Sequence, residues 1–202
     1  MCKNNQNTDL DTSQENLSQR IPPGQKLTEK FPVLTYGDIP NIQSKDWTFT
    51  IDGLVKTNTI YNWNEIMSIE QIVLTKDFHC VTQWSRLDNV WEGIKVKDLI
   101  NKAELLPNAK FALIYCYGGY TTNLPTKVLL DEDVLLAHKH DGRALLPEHG
   151  GPIRLIVPKL YAWKSAKWIK GIKLIETEEL GFWENLGYHS YGDPWKEQRF
   201  KF

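Results

Sequence analysis

At 202 residues the chain is long enough for one sizeable domain, and its 41% hydrophobic and 24% charged composition is ordinary for a globular protein. A net charge of −1 leaves no electrostatic footprint for nucleic acid, which needs a basic patch and a high pI. No apolar run is long enough to span a bilayer as a helix.

The N-terminus lacks a basic stretch followed by an apolar one, so no signal peptide is expected and the default compartment is the cytoplasm. Three cysteines, Cys2, Cys80 and Cys116, make an odd number that argues against a disulfide framework. Cys2 leaves one alternative open, a lipid anchor on a trimmed precursor. Residues Met1 to Lys26 are rich in Asn, Gln, Ser and Asp, and the reading is a disordered tail. Residues 27–202 then form one domain.

In chain order, Trp47 to Ile51 alternates like a strand and ends at Asp52-Gly53, a hairpin signal with Leu54-Val55 returning. Asn62 to Met67 suits a short helix capped by Asn62. Ile72 to Leu74 reads as a strand leading into Phe78-His79-Cys80. The clearest helix runs from Val96 to Leu106, with Val96, Leu99, Ile100, Ala103 and Leu106 on one face and Pro107 as its stop. Phe111 to Tyr117 is an apolar strand ended by Gly118-Gly119, and a second short helix is expected around Lys127 to Leu130. Ile153 to Val157 and Ile172 to Ile175 are strands of the buried type. From Gly181 onward the aromatic, aperiodic sequence is expected to wrap over the core. The economical reading is a single mixed α+β domain.

Four stretches carry candidate chemistry. Cys80, in Asp77 to Ser85, offers a soft thiolate at a strand end, or else an inert buried thiol. His149-Gly150-Gly151-Pro152-Ile153-Arg154 combines paired glycines, which let backbone approach a ligand, with a His and an Arg suited to an anion. An ordinary turn before a core strand explains the same residues. Tyr161 to Trp168 frames Ser165 and Ala166 with Lys164 and Lys167, either around a phosphate or as a solvated basic loop, and Lys170 and Lys173 extend the run as exposed groups. Cys116 to Pro125 suits a polar pocket rim or a plain loop. The eight tryptophans serve a rigid core or a walled pocket for a planar cofactor.

Other chemistries lack their motifs. There is no GxGxxG or Walker A pattern, and no CxxC or HExxH. His138 and His140 share one face of a strand, but a solvated loop before Asp141-Gly142 accounts for them. Cys80 with His149 as a nucleophile pair remains an alternative, implying a hydrolase or transferase.

Taken in order, FPVLTYGDIP, DFHCVTQWSRLDNVWEG, CYGGYTTNLP, EHGGPIRLIVPKLYAWKSAKW and GFWENLGYHSYGDPWKEQRF resemble the molybdopterin-binding domain of the sulfite oxidase superfamily, from about Phe31 to Phe202. The resemblance implies the sulfite oxidase catalytic fold and a molybdenum cofactor with a single pyranopterin. Cys80 matches the metal-binding cysteine. His149 and Arg154 match positions that hold the pterin and its phosphate, and Ser165, Ala166 and Lys167 match the loop closing on it. Cys116 falls close to another pterin-contacting position, and Tyr36 and Gly37 fall near an N-terminal one. His79, Trp84 and Arg86 are the candidates for the substrate face.

The family chemistry is two-electron oxo transfer, with electrons exchanged with a partner that the sequence does not identify. The family's sulfite-binding arginine cluster is not evident, so the substrate is expected to be some other small molecule. A cofactor-less binding protein of the same fold is the non-enzymatic rival.

Overall fold

Alternation of buried and exposed side chains builds two sheets between which most of the core lies. The computed structural model describes residues 18–201. One sheet contains β1 (Lys26–Leu27), β4 (Ile72–His79), β5 (Trp84–Lys95), β8 (Leu135–His140), β9 (Arg143–Ala144) and β10 (Arg154–Ile156). The other has the order β3-β2-β11-β6-β7, made of β2 (Thr48–Gly53), β3 (Thr59–Asn62), β6 (Phe111–Cys116), β7 (Thr121–Pro125) and β11 (Ile169–Ile175). Only the β2–β11 pair of that sheet is parallel. The helices α1 (Trp63–Met67), α2 (Val96–Ala103), α3 (Thr126–Leu129) and α4 (Phe182–Asn185) are short, giving the expected mixed α+β architecture.

Several elements form for the reasons their residues suggest. Asn62 accepts from the Glu65 backbone N–H while the Glu65 carboxylate accepts from Asn62 N–H, a reciprocal capping box that starts α1. In α2, Val96, Leu99, Ile100 and Ala103 are buried on one face. That helix ends before Pro107, because Glu104 turns left-handed at φ 55°. Leu54-Val55 does not return as a hairpin strand: Val55 bridges to Leu105, and the partner of β2 is β3. Gly53 serves a close approach, since a Cβ there would stand 2.2 Å from the Leu174 carbonyl oxygen.

The tail expectation falls partly outside the described residues. Within them, residues 18–26 pack onto the domain: Arg20 pairs with Asp77 and Asp88 at 2.6 Å each, and β1 runs parallel to β5. His138 and His140 lie in β8, not in a solvated loop. His138 bonds Gln71 at 3.0 Å, and His140 stacks on Trp91 with ring centroids 4.2 Å apart. Among the described residues no cluster of His, Cys, Asp and Glu suits a metal ion on its own.

The main core joins Trp47, Phe49, Leu99, Ile100 and Ile114 between the sheets. A smaller cluster of Phe78, Trp91, Leu135, Ala137, Leu145 and Ile156 sits where β4, β5, β8 and β10 meet. No helix among the described residues is long and apolar enough to cross a membrane.

The capping box gives a direct stability test. Asn62→Ala should lower the unfolding free energy by about 1 kcal/mol in urea denaturation, and Asn62→Asp should retain most of it.

Candidate cofactor site

A cavity of about 370 Å³ opens beside the smaller core cluster, lined mainly by five separate parts of the chain. The end of β4 brings Phe78, Cys80, Val81 and Thr82. The turn before β10 and β10 itself bring His149 and Arg154. The segment after β10 brings Trp163, Ser165, Ala166, Lys167 and Trp168. Tyr36 enters from the N-terminal side, and Trp183 and Tyr188 from the C-terminal side.

Cys80 is held by a tight turn. Its N–H donates to Trp84 O at 2.9 Å and its carbonyl accepts from Gln83 N–H at 3.1 Å, with Gln83 left-handed at φ 70°. The thiol is buried, and that burial raises its pKa, partly countered by the Thr82 hydroxyl donating to Sγ at 3.2 Å. Neutral thiol is therefore the resting form until a stronger electrophile, such as a transition metal, takes the proton's place.

The opposite chemistry gathers around Arg154, which is 3% exposed. Its guanidinium donates to His149 O at 2.9 Å and to Ser165 O at 2.7 Å, while Nε has no partner. Both acceptors are neutral carbonyls. Among the described residues no carboxylate pairs with it, and desolvation lowers its pKa to about 10. Lys167 Nζ likewise donates only to neutral oxygens: Glu148 O at 2.6 Å, Leu34 O at 2.8 Å and Thr35 Oγ1 at 3.0 Å. Burial first, then Arg154, bring its pKa down to about 8. His149 is lowered by desolvation and then by these two cations. Three basic groups thus face one cavity without a counter-charge on the protein, an arrangement that suits an anion.

Sequence-predicted residues divide by position. Tyr36, Cys80, Trp84, His149, Arg154, Ser165, Ala166 and Lys167 all line the cavity. Gly37 is next to a lining residue but is not one itself. Cys116 ends β6 in the main core, and burial pushes its thiol well up. His79 is bound to Ser85 Oγ at 2.8 Å, with burial lowering its pKa to about 4. Arg86 is paired with Asp141 at 2.5 Å and bonded to His140 at 3.0 Å. Neither His79 nor Arg86 lines the cavity.

The paired glycines do not themselves line the cavity. A Cβ on Gly150 would meet Lys167 Cβ at 2.9 Å, and one on Gly151 would meet Leu145 O at 2.2 Å. They let the His149 turn pack against Lys167 instead. The Cys80–His149 pair shares the cavity, but no hydrogen bond joins the two side chains among the described residues. The raised thiol pKa is also the reverse of what a nucleophile needs.

Sequence reasoning missed two features. Phe31 inserts its ring between His140 and His149, with centroid distances of 4.5 and 4.8 Å. Lys164, expected as a solvated group or a phosphate ligand, is wholly buried in an ion pair with Glu184 at 2.6 Å. The signal for the second was present, since Glu184 lies in an aromatic run where an exposed carboxylate has little reason to be.

Comparisons with known proteins place the chain in a family. The oxidoreductase molybdopterin-binding domain family matches residues 36–183. The uncharacterized oxidoreductase YuiH of Bacillus subtilis is 43% identical over 190 residues, covering 94% of this chain and 96% of that one. The NADH nitrate reductase of Lotus japonicus is 26% identical over 80% of this chain but only 21% of its own length. The sulfane dehydrogenase SoxCD of Paracoccus pantotrophus superposes with a TM-score of 0.63 at 20% identity, over 69% of this chain and 40% of that one, which shows a shared fold. The chain belongs to the molybdopterin-binding oxidoreductase family, with the sulfite oxidase-like fold.

The charge on Lys167 makes anion binding pH-dependent in a stated direction. Below pH 8 the ammonium is present, and above it the free group is neutral. Sulfate, which does not titrate in this range, should bind the cofactor-free chain progressively more weakly as pH rises past 8 in isothermal titration calorimetry. Lys167→Met should bind it weakly and without that pH dependence.

Proposed function

We propose that this chain is a molybdenum-cofactor-dependent oxidoreductase that catalyses two-electron oxo transfer to or from a small substrate. Sulfur-containing compounds are the first class to assay. The observation that carries the reading is the pairing, in one cavity, of a soft buried thiol with three basic groups that lack a protein counter-charge. The unpartnered Nε of Arg154 is a donor aimed at nothing on the protein, as a phosphate-holding residue requires.

In this reading Cys80 binds molybdenum as thiolate. His149, Arg154 and Lys167 hold the phosphate end of a single pyranopterin, with Ser165 and Ala166 shaping the loop beneath it. Bound there, the group supplies the oxo-transfer chemistry, and the protein supplies orientation and charge. Arg154 is fixed by two carbonyls, so its charge is already oriented when the anion arrives. Ser165 Oγ accepts from Val157 N–H at 2.9 Å, which locks the loop to the end of β10. Trp84, Trp183 and Tyr188 wall the remaining space, and Tyr36 stands at its exposed N-terminal edge before the cofactor enters. Trp84 stays as a substrate-facing residue. His79 and Arg86 act behind the wall, bracing β4 and β5. A reaction in the cytoplasm and a separate electron-transfer partner complete the proposal.

The test is elemental analysis of the protein purified from a host that makes the cofactor, with pterin measured by fluorescence after release. About one molybdenum and one pterin per chain are expected. Cys80→Ser should lose molybdenum, while Arg154→Gln should retain at most about a tenth of the pterin. A metal-free, pterin-free parent protein would overturn the proposal.

A further inference from the structure

The N-terminal flank of the cavity is held differently from the rest. Residues 29–42 contain no helix or strand, and no backbone–backbone hydrogen bond ties them to the rest of the described chain. Yet Phe31, Pro32, Leu34, Thr35 and Tyr36 all line the cavity. Side chains alone keep the segment in place. The Phe31 ring is clamped by Phe78, Trp84, Trp91, His140 and His149 at centroid distances from 4.5 to 6.0 Å. Tyr36 rests on Phe182 and Trp183 at 5.0 and 5.7 Å. Between these two anchors, Lys167 Nζ holds Leu34 O and Thr35 Oγ1.

The donor count of that ammonium sets a constraint. It has three N–H groups, and all three are taken: Glu148 O, Leu34 O and Thr35 Oγ1. An anion can engage Lys167 only by displacing an acceptor. Glu148 O belongs to a turn pinned by Trp168 Nε1 to Pro147 O at 2.7 Å and by the N–H groups of His149 and Gly151 to Leu146 O at 3.0 Å. Leu34 and Thr35 have no such support, so they are the acceptors that leave.

We propose that residues 29–42 form a strap latched by Lys167, and that an anion arriving on Lys167 releases the strap. This rests on the anion-binding reading of His149, Arg154 and Lys167. Phe31, the deeply clamped residue, stays as the hinge, while the stretch from Val33 to Tyr36 swings. The phosphate end of an incoming cofactor would thereby open its own entrance. Linkage requires the reverse effect as well: whatever loosens the strap strengthens anion binding.

The experiment is limited proteolysis with chymotrypsin, whose sites in the strap include Leu34 and Tyr36, on the full-length chain made in a host that lacks the cofactor. Inorganic phosphate is the probe, and its binding is measured in parallel by calorimetry. Saturating phosphate should speed cleavage within residues 33–38 several-fold. Lys167→Gln should be cut fast there without phosphate and show no response to it. Tyr36→Ala, which removes the tip's aromatic anchor, should bind phosphate several-fold more tightly than the parent. Binding with strap cleavage unchanged or slowed would overturn the strap and leave the functional proposal standing, as would a Tyr36→Ala variant whose phosphate affinity is no higher than the parent's. A parent chain that binds no phosphate would overturn both the strap and the anion site beneath it.

Discussion

The site depends on one electrostatic constraint, the burial of the Arg154 guanidinium without a carboxylate. Moving an ion of this kind out of water has an effective penalty of several kcal/mol even after relaxation. Two backbone carbonyls and the faces of Phe78 and Trp91, 5.5 and 5.8 Å from its carbon, recover only part of that. β10 makes the arrangement geometrically firm, because Arg154 is in register with Ala137 of β8 and cannot swing out to solvent. Lys167 then adds charge of the same sign, and together the two cations disfavour protonation of His149. The fold thus carries a destabilising cluster of cations, and in the reading proposed above an arriving anion offsets that cost.

The fold was legible where one periodicity ruled a segment. Helix α2 and strands β2 and β6 show clean faces, and the Asn62–Glu65 capping box was visible as a cap. Strands β5 and β8, which carry Trp91, Leu135 and Ala137 of the smaller core cluster, were not. β5 contains Arg86, Asp88, Asn89, Glu92 and Gly93, and its alternation breaks at Asp88, whose φ is +54°. Its register shifts again at Gly93, where a Cβ would clash with Leu136 O at 2.1 Å. β8 ends in His-Lys-His, which looks like solvated loop until Gln71, Asn89 and Trp91 supply partners from distant parts of the chain.

The candidate site was more legible than the fold around it, and for a different reason. Cys80, His149, Arg154 and Lys167 stood out through motif resemblance, and the structure brings all four to one cavity. Residue chemistry alone was less reliable. Arg86 looked as eligible as Arg154, but Asp141, lying 55 positions along the chain, neutralises it. The glycine pair looked like a ligand cradle, but it accommodates Lys167 and Leu145 of the chain itself. In each case the deciding partner is distant in sequence, and no local pattern encodes it.

Lys164 and Lys167 show why the unpaired charges are a feature of the site and not of the neighbourhood. They lie three residues apart, and both are drawn inward with their pKa lowered by desolvation. For Lys164 the chain supplies Glu184, with Trp163 Nε1 and Thr122 Oγ1 also donating to the same carboxylate oxygen and Asn123 and Ser190 accepting from the ammonium. The charge of Lys164 is thereby matched within the protein, although Glu184 Oε2 is buried without a hydrogen-bond partner. For Lys167 the chain supplies three neutral oxygens, and the Glu148 carboxylate that it senses is not brought into contact. A sequence that can neutralise one buried lysine so completely also has the means to neutralise the next. The polarity it retains at Lys167, Arg154 and His149 is therefore positional, confined to the wall that faces Cys80's cavity. The Lys164–Glu184 pair behind that wall holds Trp163 and Trp183 against it.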